Sequence, residues 1–375
     1  MNRTGTRELS MALALLAIWA FFAWQEPVFL SSRNLSLLSV ELAVTAVLAL
    51  GMLVVLLPGQ IDLSAGSGVG LAGAIAAVLV FWKGVPAPLA LLVATLGTVV
   101  VWSAMGALIA VERIPAFIMT LGGLLVFRGL HWLVIENQTV PVVEGGGQNV
   151  YSLLTTYFLP SAWGYALAAV TVTAIVMSAL GARRRRQSYG FPVDEAEITF
   201  LKLLVLAQLV FLVVLVTNGY RGMPIALVIL GVVAVLVHQL VTNTPFGRYL
   251  YAIGGNEEAA LVSGVPVRAT IIGAYALMGG IVALTGFMQT AYSGASTTTV
   301  GSLMELDAVA ACVIGGTSLR GGRGTVLGVL FGALIMASLL NGMTLMAVSP
   351  EAKYIARGVV LALAVWLDLR LGRGK

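Results

Sequence analysis

Asn243–Arg268 reads NTPFGRYLYAIGGNEEAALVSGVPVR, a charged stretch punctuated by Gly and Pro between two long apolar runs, Met223–Val241 and Ala269–Ala291. Inside it, both ends of a short helix are marked. Asn256 is an N-cap residue, Glu257 and Glu258 sit where the helix dipole favours negative charge, and Gly264 followed by Pro266 supplies the stop. Roughly two turns result, whereas isolated helices in water need about 12–15 residues. The helix therefore rests on something: loops of its own chain, lipid headgroups, or a cleft on another protein.

The surroundings of this stretch set the fold class. The chain has 375 residues, 59% hydrophobic and 10% charged, with a mean hydropathy of +1.00. Soluble domains carry about 25% charged residues, so this composition is that of a membrane-embedded, all-α, polytopic protein. Apolar segments long enough for a hydrocarbon core recur at 11–30, 35–57, 66–82, 87–111, 116–135, 162–181, 198–217, 223–241, 269–291, 305–319, 325–347 and 354–369. Segments 66–82 and 305–319 are short and Gly-rich, so ten to twelve spans are expected, with broken or re-entrant pieces among them. No stretch reads as a soluble domain, and residues 1–375 are expected to form one transmembrane domain with a cytoplasmic segment at 243–268. The first apolar stretch is too long, and lacks the small-residue site, for a cleaved signal; it reads as a signal anchor.

Basic residues give the orientation. With alternating spans and a cytoplasmic N-terminus, the inner side collects Arg3, Arg7, Arg113, Arg183, Arg184, Arg185, Arg186, Lys202, Arg248, Arg268, Arg320, Arg323, Arg370, Arg373 and Lys375. The outer side holds Arg33, Lys83, Arg221 and Lys353. Fifteen against four is a decisive positive-inside bias, placing both termini and the 243–268 insert in the cytoplasm. The net charge of +5 is thereby topological and implies no nucleic-acid partner. The four arginines at 183–186 read as a stop against anionic headgroups. The largest outward loop, Glu136–Ser161, has no Lys or Arg, and the inward loop Ala182–Glu197 carries Asp194, Glu195 and Glu197.

Catalytic machinery is hard to find. There is no G-x-x-x-x-G-K-[ST] loop, no H-E-x-x-H and no G-x-S-x-G, and His131 and His238 are the only histidines. The single cysteine, Cys312, excludes an internal disulfide and a cysteine metal cluster, and reads as a packed thiol. No catalytic or metal residue is assigned, and the chain is not expected to be an enzyme.

Ionisable residues inside apolar segments cost about 2.5–3.5 kcal/mol each on insertion scales, so each needs a reason. Glu41, Arg128, His131, Asp307 and Arg357 are such residues. Arg128 and His131 lie on one helical face, either lining a polar path or, with Arg128 paired to Glu41, fixing helix packing; the packing reading is preferred. Asp62 and Ser64 fall at the break Pro58–Gly68, capping the next helix or lining the path. Asp62, Ser64, Arg128, His131 and Asp307 are the translocation-path candidates. Pro58–Gly73 and Gly315–Gly328 are both Gly/Ser-rich breaks, a pattern that points to internal duplication in transporters or only to the frequency of Gly in membrane helices.

YAIGGNEEAALVSG at 251–264 resembles the cytoplasmic signature of bacterial ABC sugar-importer permeases of the ribose/xylose/arabinose class. The resemblance covers nearly the whole chain, through GQIDLSAGSGVGLAGAIAAV at 59–78, IPAFIMTLGGLLVFRGLHWLVIENQTVPV at 114–142 and GGTSLRGGRGTVLG at 315–328, the first two being most like the xylose branch. It implies one of two membrane subunits, as a homodimer, in the inner membrane of a bacterium. It also implies a separate ATPase subunit that binds the ATP, so that this chain needs no cofactor, and a periplasmic or lipid-anchored sugar-binding protein. In that class the matching segment is the coupling helix on the ATPase, which carries over to Gly254, Gly255, Asn256, Glu257, Glu258, Ala259, Ala260, Ser263 and Gly264. The expected cargo is a monosaccharide, D-xylose first. The alternatives are another sugar, a nucleoside, an autoinducer or a branched-chain amino acid on the same architecture, an ion-coupled carrier using Glu41 and Asp307, or a membrane scaffold.

Overall fold

The computed structural model describes residues 3–143, 145, 147–193 and 195–372, with side chains described between 11 and 366. Asp194, Arg373 and Lys375 lie outside the described residues, as do the side chains of Arg3, Arg7 and Arg370.

The apolar segments are helices because lipid offers no partner to backbone N–H and C=O groups, which must bond within the segment. In chain order these are α1 (Arg3–Gln25), α2 (Ser32–Leu56), α3 (Ala65–Phe81), α4 (Ala87–Glu112) and α5 (Ala116–Val134). A short α6 (Val150–Thr156) precedes α7 (Ser161–Ser188), α8 (Ala196–Asn218) and α9 (Ile225–Asn243). Then come α10 (Pro245–Gly255), α11 (Glu257–Val262), α12 (Val267–Ser293), α13 (Met304–Ile314), α14 (Val326–Leu345) and α15 (Pro350–Gly372). Among the described residues, eight of these, α2, α4, α5, α7, α8, α9, α12 and α14, are long and apolar enough to cross a membrane, and Met11–Gln25 and α3 are shorter apolar helices. The polytopic helical architecture is as expected.

Two details differ from the sequence reading. Segment 11–30 is not one helix: α1 ends at Gln25 and Pro27–Leu30 forms a separate 3-10 turn, because Pro27 cannot continue an i→i−4 ladder. The short Gly-rich segments 66–82 and 305–319 form the helices α3 and α13, which end at Phe81 and Ile314. Leu57, at the end of α2, meets the loop after α13, whereas Ser64 lies against Gly123 of α5, seven residues or about 10 Å inside that helix. Residues 58–64, a turn followed by irregular chain, thus run from the end of α2 toward the middle of α5, where α3 begins. Gly294–Leu303 leads into the 11-residue α13.

Where the two interrupted helices begin, they meet. A Cβ on Gly66 would overlap the Glu305 carboxylate, and one on Gly301 would overlap the Gly66 carbonyl. Only glycine allows that backbone approach, the usual device of packed membrane helices. The core centres on α2, which is buried along most of its length and packed against α9, α12, α13 and α14, with α3 and α4 joined to it through α12. Cys312 belongs to it, fully buried with its thiol directed at the Ala49 carbonyl 3.2 Å away. The α7–α8 hairpin is peripheral, its apolar surface largely exposed.

The chain ends of the helices sort into two faces. One gathers the end of α2, the α4–α5 turn, α10, α11 and the loop between α13 and α14, with Arg113, Arg268 and Arg320. The opposite face is tied by two small antiparallel pairs, β1 (Val140–Pro141) with β4 (Ala295–Ser296) and β2 (Phe158–Leu159) with β3 (Met223–Pro224). There α6 starts at an Asn149–Ser152 capping box, and Tyr151 donates to the Gly73 carbonyl at 2.9 Å, sealing the loop onto α3.

Candidate functional site

The insert between α9 and α12 is a pair of helices, not one. The Thr244 hydroxyl accepts from Gly247 N at 3.2 Å and Pro245 occupies the first turn, starting α10. This helix was not foreseen from sequence; the signal for it was Thr244 followed by Pro245, an N-cap and N1 pair. Asn256 then ends α10 and begins α11, its side chain accepting from Ala259 N at 2.9 Å. Ser263 donates to Ala259 O at 2.8 Å, and Gly264 takes φ +80°, a conformation open to glycine at little cost. The helix marked by Asn256 and Gly264 therefore forms with those bounds.

Tertiary contacts fix α10 and leave α11 free. A Cβ on Gly254 would overlap both the Leu57 carbonyl and the Gly322 amide, so α10 lies backbone to backbone on the end of α2 and on the Gly-rich loop after α13. Tyr251 donates to the Gly324 carbonyl at 2.7 Å, and burial pushes its phenol pKa up, keeping it a donor. The stretches 251–264 and 315–328 thus touch in space. By contrast Glu257, Glu258, Ala259, Ser263 and Gly264 are exposed and only Ala260 packs inward. Leu261 is 58% and Val262 89% exposed. A six-residue helix that presents two carboxylates and two bare aliphatic side chains on one face has the chemistry of a docking peg. Between it and the α4–α5 turn lies an open groove of about 1060 Å3, lined among others by Arg113, Pro115, Glu257 and Leu261.

The five path candidates do not share one cavity. Asp62 is fully buried: Oδ1 accepts from Ser64 N at 2.8 Å and from the Ser64 hydroxyl at 2.5 Å, and Oδ2 accepts from Trp102 Nε1 at 2.7 Å. Ser64 makes no side-chain cap to α3; Asp62 satisfies the backbone there instead. His131 is 2% exposed, with Nε2 3.3 Å from Ser296 Oγ, tying α5 to β4. Arg128 is on the exposed side of α5, its guanidinium 5.5 Å over the Trp132 ring. The expected Arg128–Glu41 pair does not form. Glu41 accepts from Tyr292 at 2.8 Å and from Asn341 at 3.4 Å, because α2 packs against α12 and α14 rather than against the outer side of α5. Asp307 pairs with Arg357 at 3.3 Å and faces an open polar cavity.

Sequence reasoning passed over Glu305, which is 5% exposed at the start of α13 beside Gly66. Its signal was a carboxylate two residues before Asp307 in an apolar segment. Among the described residues no group of three or more His, Cys, Asp or Glu is placed to hold a metal ion.

Residues 34–365 match the family described as "Branched-chain amino acid transport system / permease component". Xylose transport system permease protein XylH of Escherichia coli (strain K12) is 38% identical over 359 residues, covering 96% of this chain and 90% of that protein. Ribose import permease protein RbsC of Bacillus subtilis (strain 168) is 31% identical over 363 residues, 96% of this chain and 92% of its own. Galactose/methyl galactoside import permease protein MglC of Escherichia coli (strain K12) is 32% identical over 384 residues, 99% of this chain and 97% of its own. No solved structure matches.

Proposed function

The chain belongs to the branched-chain amino acid transport system / permease component family, and from that premise we propose that it is the membrane subunit of an ABC importer for D-xylose. The observation that carries this reading is the 38% identity, over 96% of the chain, to a xylose permease. Ribose and galactose permeases stand further off, at 31% and 32% identity, which favours the pentose and keeps other monosaccharides as the second reading. The family's description names amino acids, yet these relatives are all sugar permeases.

In this reading the whole chain acts as one multi-pass domain in a bacterial inner membrane. The arginine-rich face and both termini are cytoplasmic, in keeping with the positive-inside rule. Asn256–Gly264 docks on an ATPase subunit that supplies ATP hydrolysis, and a sugar-binding protein delivers cargo at the opposite face. Two copies of the chain flank the path, with Arg128 and Asp307 as its polar contributors. The mechanism follows from how α10 and α11 are mounted. Because α10 is packed on Leu57 and Gly322, a push on α11 is passed to the ends of α2 and α13 as well as along α9 and α12. Rigid helices then exchange outward and inward access. Asp62, bonded to Trp102, holds the break before α3 in register with α4 while this happens.

The test is reconstitution in vesicles with the cognate ATPase and binding protein, measuring uptake of labelled D-xylose beside ribose and galactose. Uptake that needs ATP and prefers xylose is expected. Uptake that persists without the ATPase and follows an ion gradient would overturn the ABC reading.

A further inference from the structure

The Asp307–Arg357 pair and the Glu41 cluster face a single space. Between α2, α12, α14 and α15, on the face remote from α11, lies a cavity of about 340 Å3 lined by Glu41, Gln289, Tyr292, Thr299, Asp307 and Arg357. Glu41 is nine residues into α2, so the floor lies about 13 Å below the start of that helix. Small-molecule sites run from about 300 to 1,000 Å3, and this one is at the small end.

Helix packing alone does not account for it. Charges buried only to tie helices would be sealed around their partners, as Asp62 is sealed on Ser64 and Trp102. Here the pairs leave capacity over. Glu41 spends one oxygen on Tyr292 at 2.8 Å and the other on Asn341 at 3.4 Å. Arg357 meets Asp307 through Nε at 3.3 Å, while the guanidinium has four further N–H donors. Gln289 reaches Ser293 only at 3.4 Å, and the hydroxyls of Thr297 and Thr299 bond each other at 3.0 Å rather than another helix. Glu41 ties α2 to α12 and α14, and Asp307–Arg357 ties α13 to α15, yet Gln289, Thr297 and Thr299 bond only within their own segments; so many polar groups around one small open cavity, in a chain of 59% hydrophobic residues, point to a polar occupant.

We propose that this well is a monosaccharide-binding site within each single copy of the chain, reached from the face opposite α11. A sugar presents neighbouring hydroxyls that each donate and accept. The Glu41 and Asp307 carboxylates accept from such a diol, Arg357 and Gln289 donate to its oxygens, and Met304 and Leu340 cover its C–H face. The proposal rests on the sugar-permease reading and adds to it a place where the cargo pauses inside one subunit.

Thr299 is exposed at the well, and Cys312 is fully buried, so Thr299→Cys gives one reachable thiol without removing the native cysteine. The full importer carrying Thr299→Cys is treated in vesicles with a membrane-impermeant thiol reagent from the binding-protein side. Labelling is timed with D-xylose, ribose, galactose or glycine betaine, which has no hydroxyl, at equal concentration. At least one of the three sugars is expected to slow labelling fivefold or more, glycine betaine to leave it unchanged, and Glu41→Gln on the same background to remove the protection while the thiol still reacts. A labelling rate indifferent to every sugar, or a thiol that never reacts from that side, would overturn the proposal. Uptake by the native chain is read in the same preparation. ATP-driven uptake without protection refutes the well alone, whereas absent uptake of all three sugars refutes the permease reading.

Discussion

The Gly322 amide donates to the Leu57 carbonyl at 2.9 Å, joining the loop after α13 to the end of α2 directly against Gly254 of α10. Three segments far apart in sequence thus share one backbone contact, and the mounting of the exposed helix α11 depends on it.

Adjacent glycines in α10 should therefore respond in opposite ways. A Cβ at Gly254 would overlap backbone atoms, whereas nothing lies within 4 Å of one at Gly255. Gly254→Ala is expected to destabilise by about 1–3 kcal/mol through overpacking. Gly255→Ala, at the last position of the helix, is expected to be neutral or to stabilise by up to about 1 kcal/mol. Thermal unfolding in detergent measures both, and equal midpoints for the two variants would contradict the contact.

The charge of the peg is testable without touching the fold. Glu257 and Glu258 are exposed, so Glu257→Lys with Glu258→Lys should cost no more than about 1–2 kcal/mol, the effect of reversing two charges at a helix N-terminus, and leave the bundle folded. ATP-driven uptake is expected to fall at least tenfold in the same preparation. Val262→Asp, at the 89% exposed tip, should do likewise. Undiminished uptake in both would remove the docking role of α11.

Asp62 accepts from the Ser64 amide, the Ser64 hydroxyl and Trp102 Nε1. Asn at this position turns an NH2 toward a donor, leaving a buried group unpaired at a cost of about 1–3 kcal/mol. Asp62→Asn is expected to lower the yield of folded protein, and Trp102→Phe added to it to recover part of the loss. A cysteine at Ser64, which is fully buried, should not react with thiol reagents; rapid labelling would instead place Ser64 on the path.

Arg128 stacks on Trp132 on an exposed helix side and lies away from Glu41. Arg128→Leu should leave assembled protein at native levels, because the side chain is exposed and bonds no buried carboxylate directly, while uptake falls at least fivefold. Loss of folded protein would return Arg128 to the packing role that the sequence had suggested.

Much of this was legible in advance. Apolar runs announced the spans because hydrocarbon forces the backbone to bond within each segment. Asn256, Glu257, Glu258 and Gly264 announced α11 because capping is a local matter of side chain and φ. Thr244 with Pro245 announced α10 equally, and went unread beside the stronger signal. The charged residues of the membrane segments were visible too, but their partners were not. Glu41 was matched to Arg128 when it bonds Tyr292 and Asn341, and Glu305 was passed over.

By itself, then, the sequence determined the long helical segments and the ends of α11, since these depend on neighbours in the chain and on the solvent around it. Only the tertiary structure decided that Asp307 meets Arg357, that Asp62 meets Trp102, and that α10 leans on Leu57 and Gly322. Those pairings depend on which helices pack side by side, and many arrangements of apolar cylinders bury similar surface; close approach at a few glycines and the need to satisfy each buried polar group select one of them.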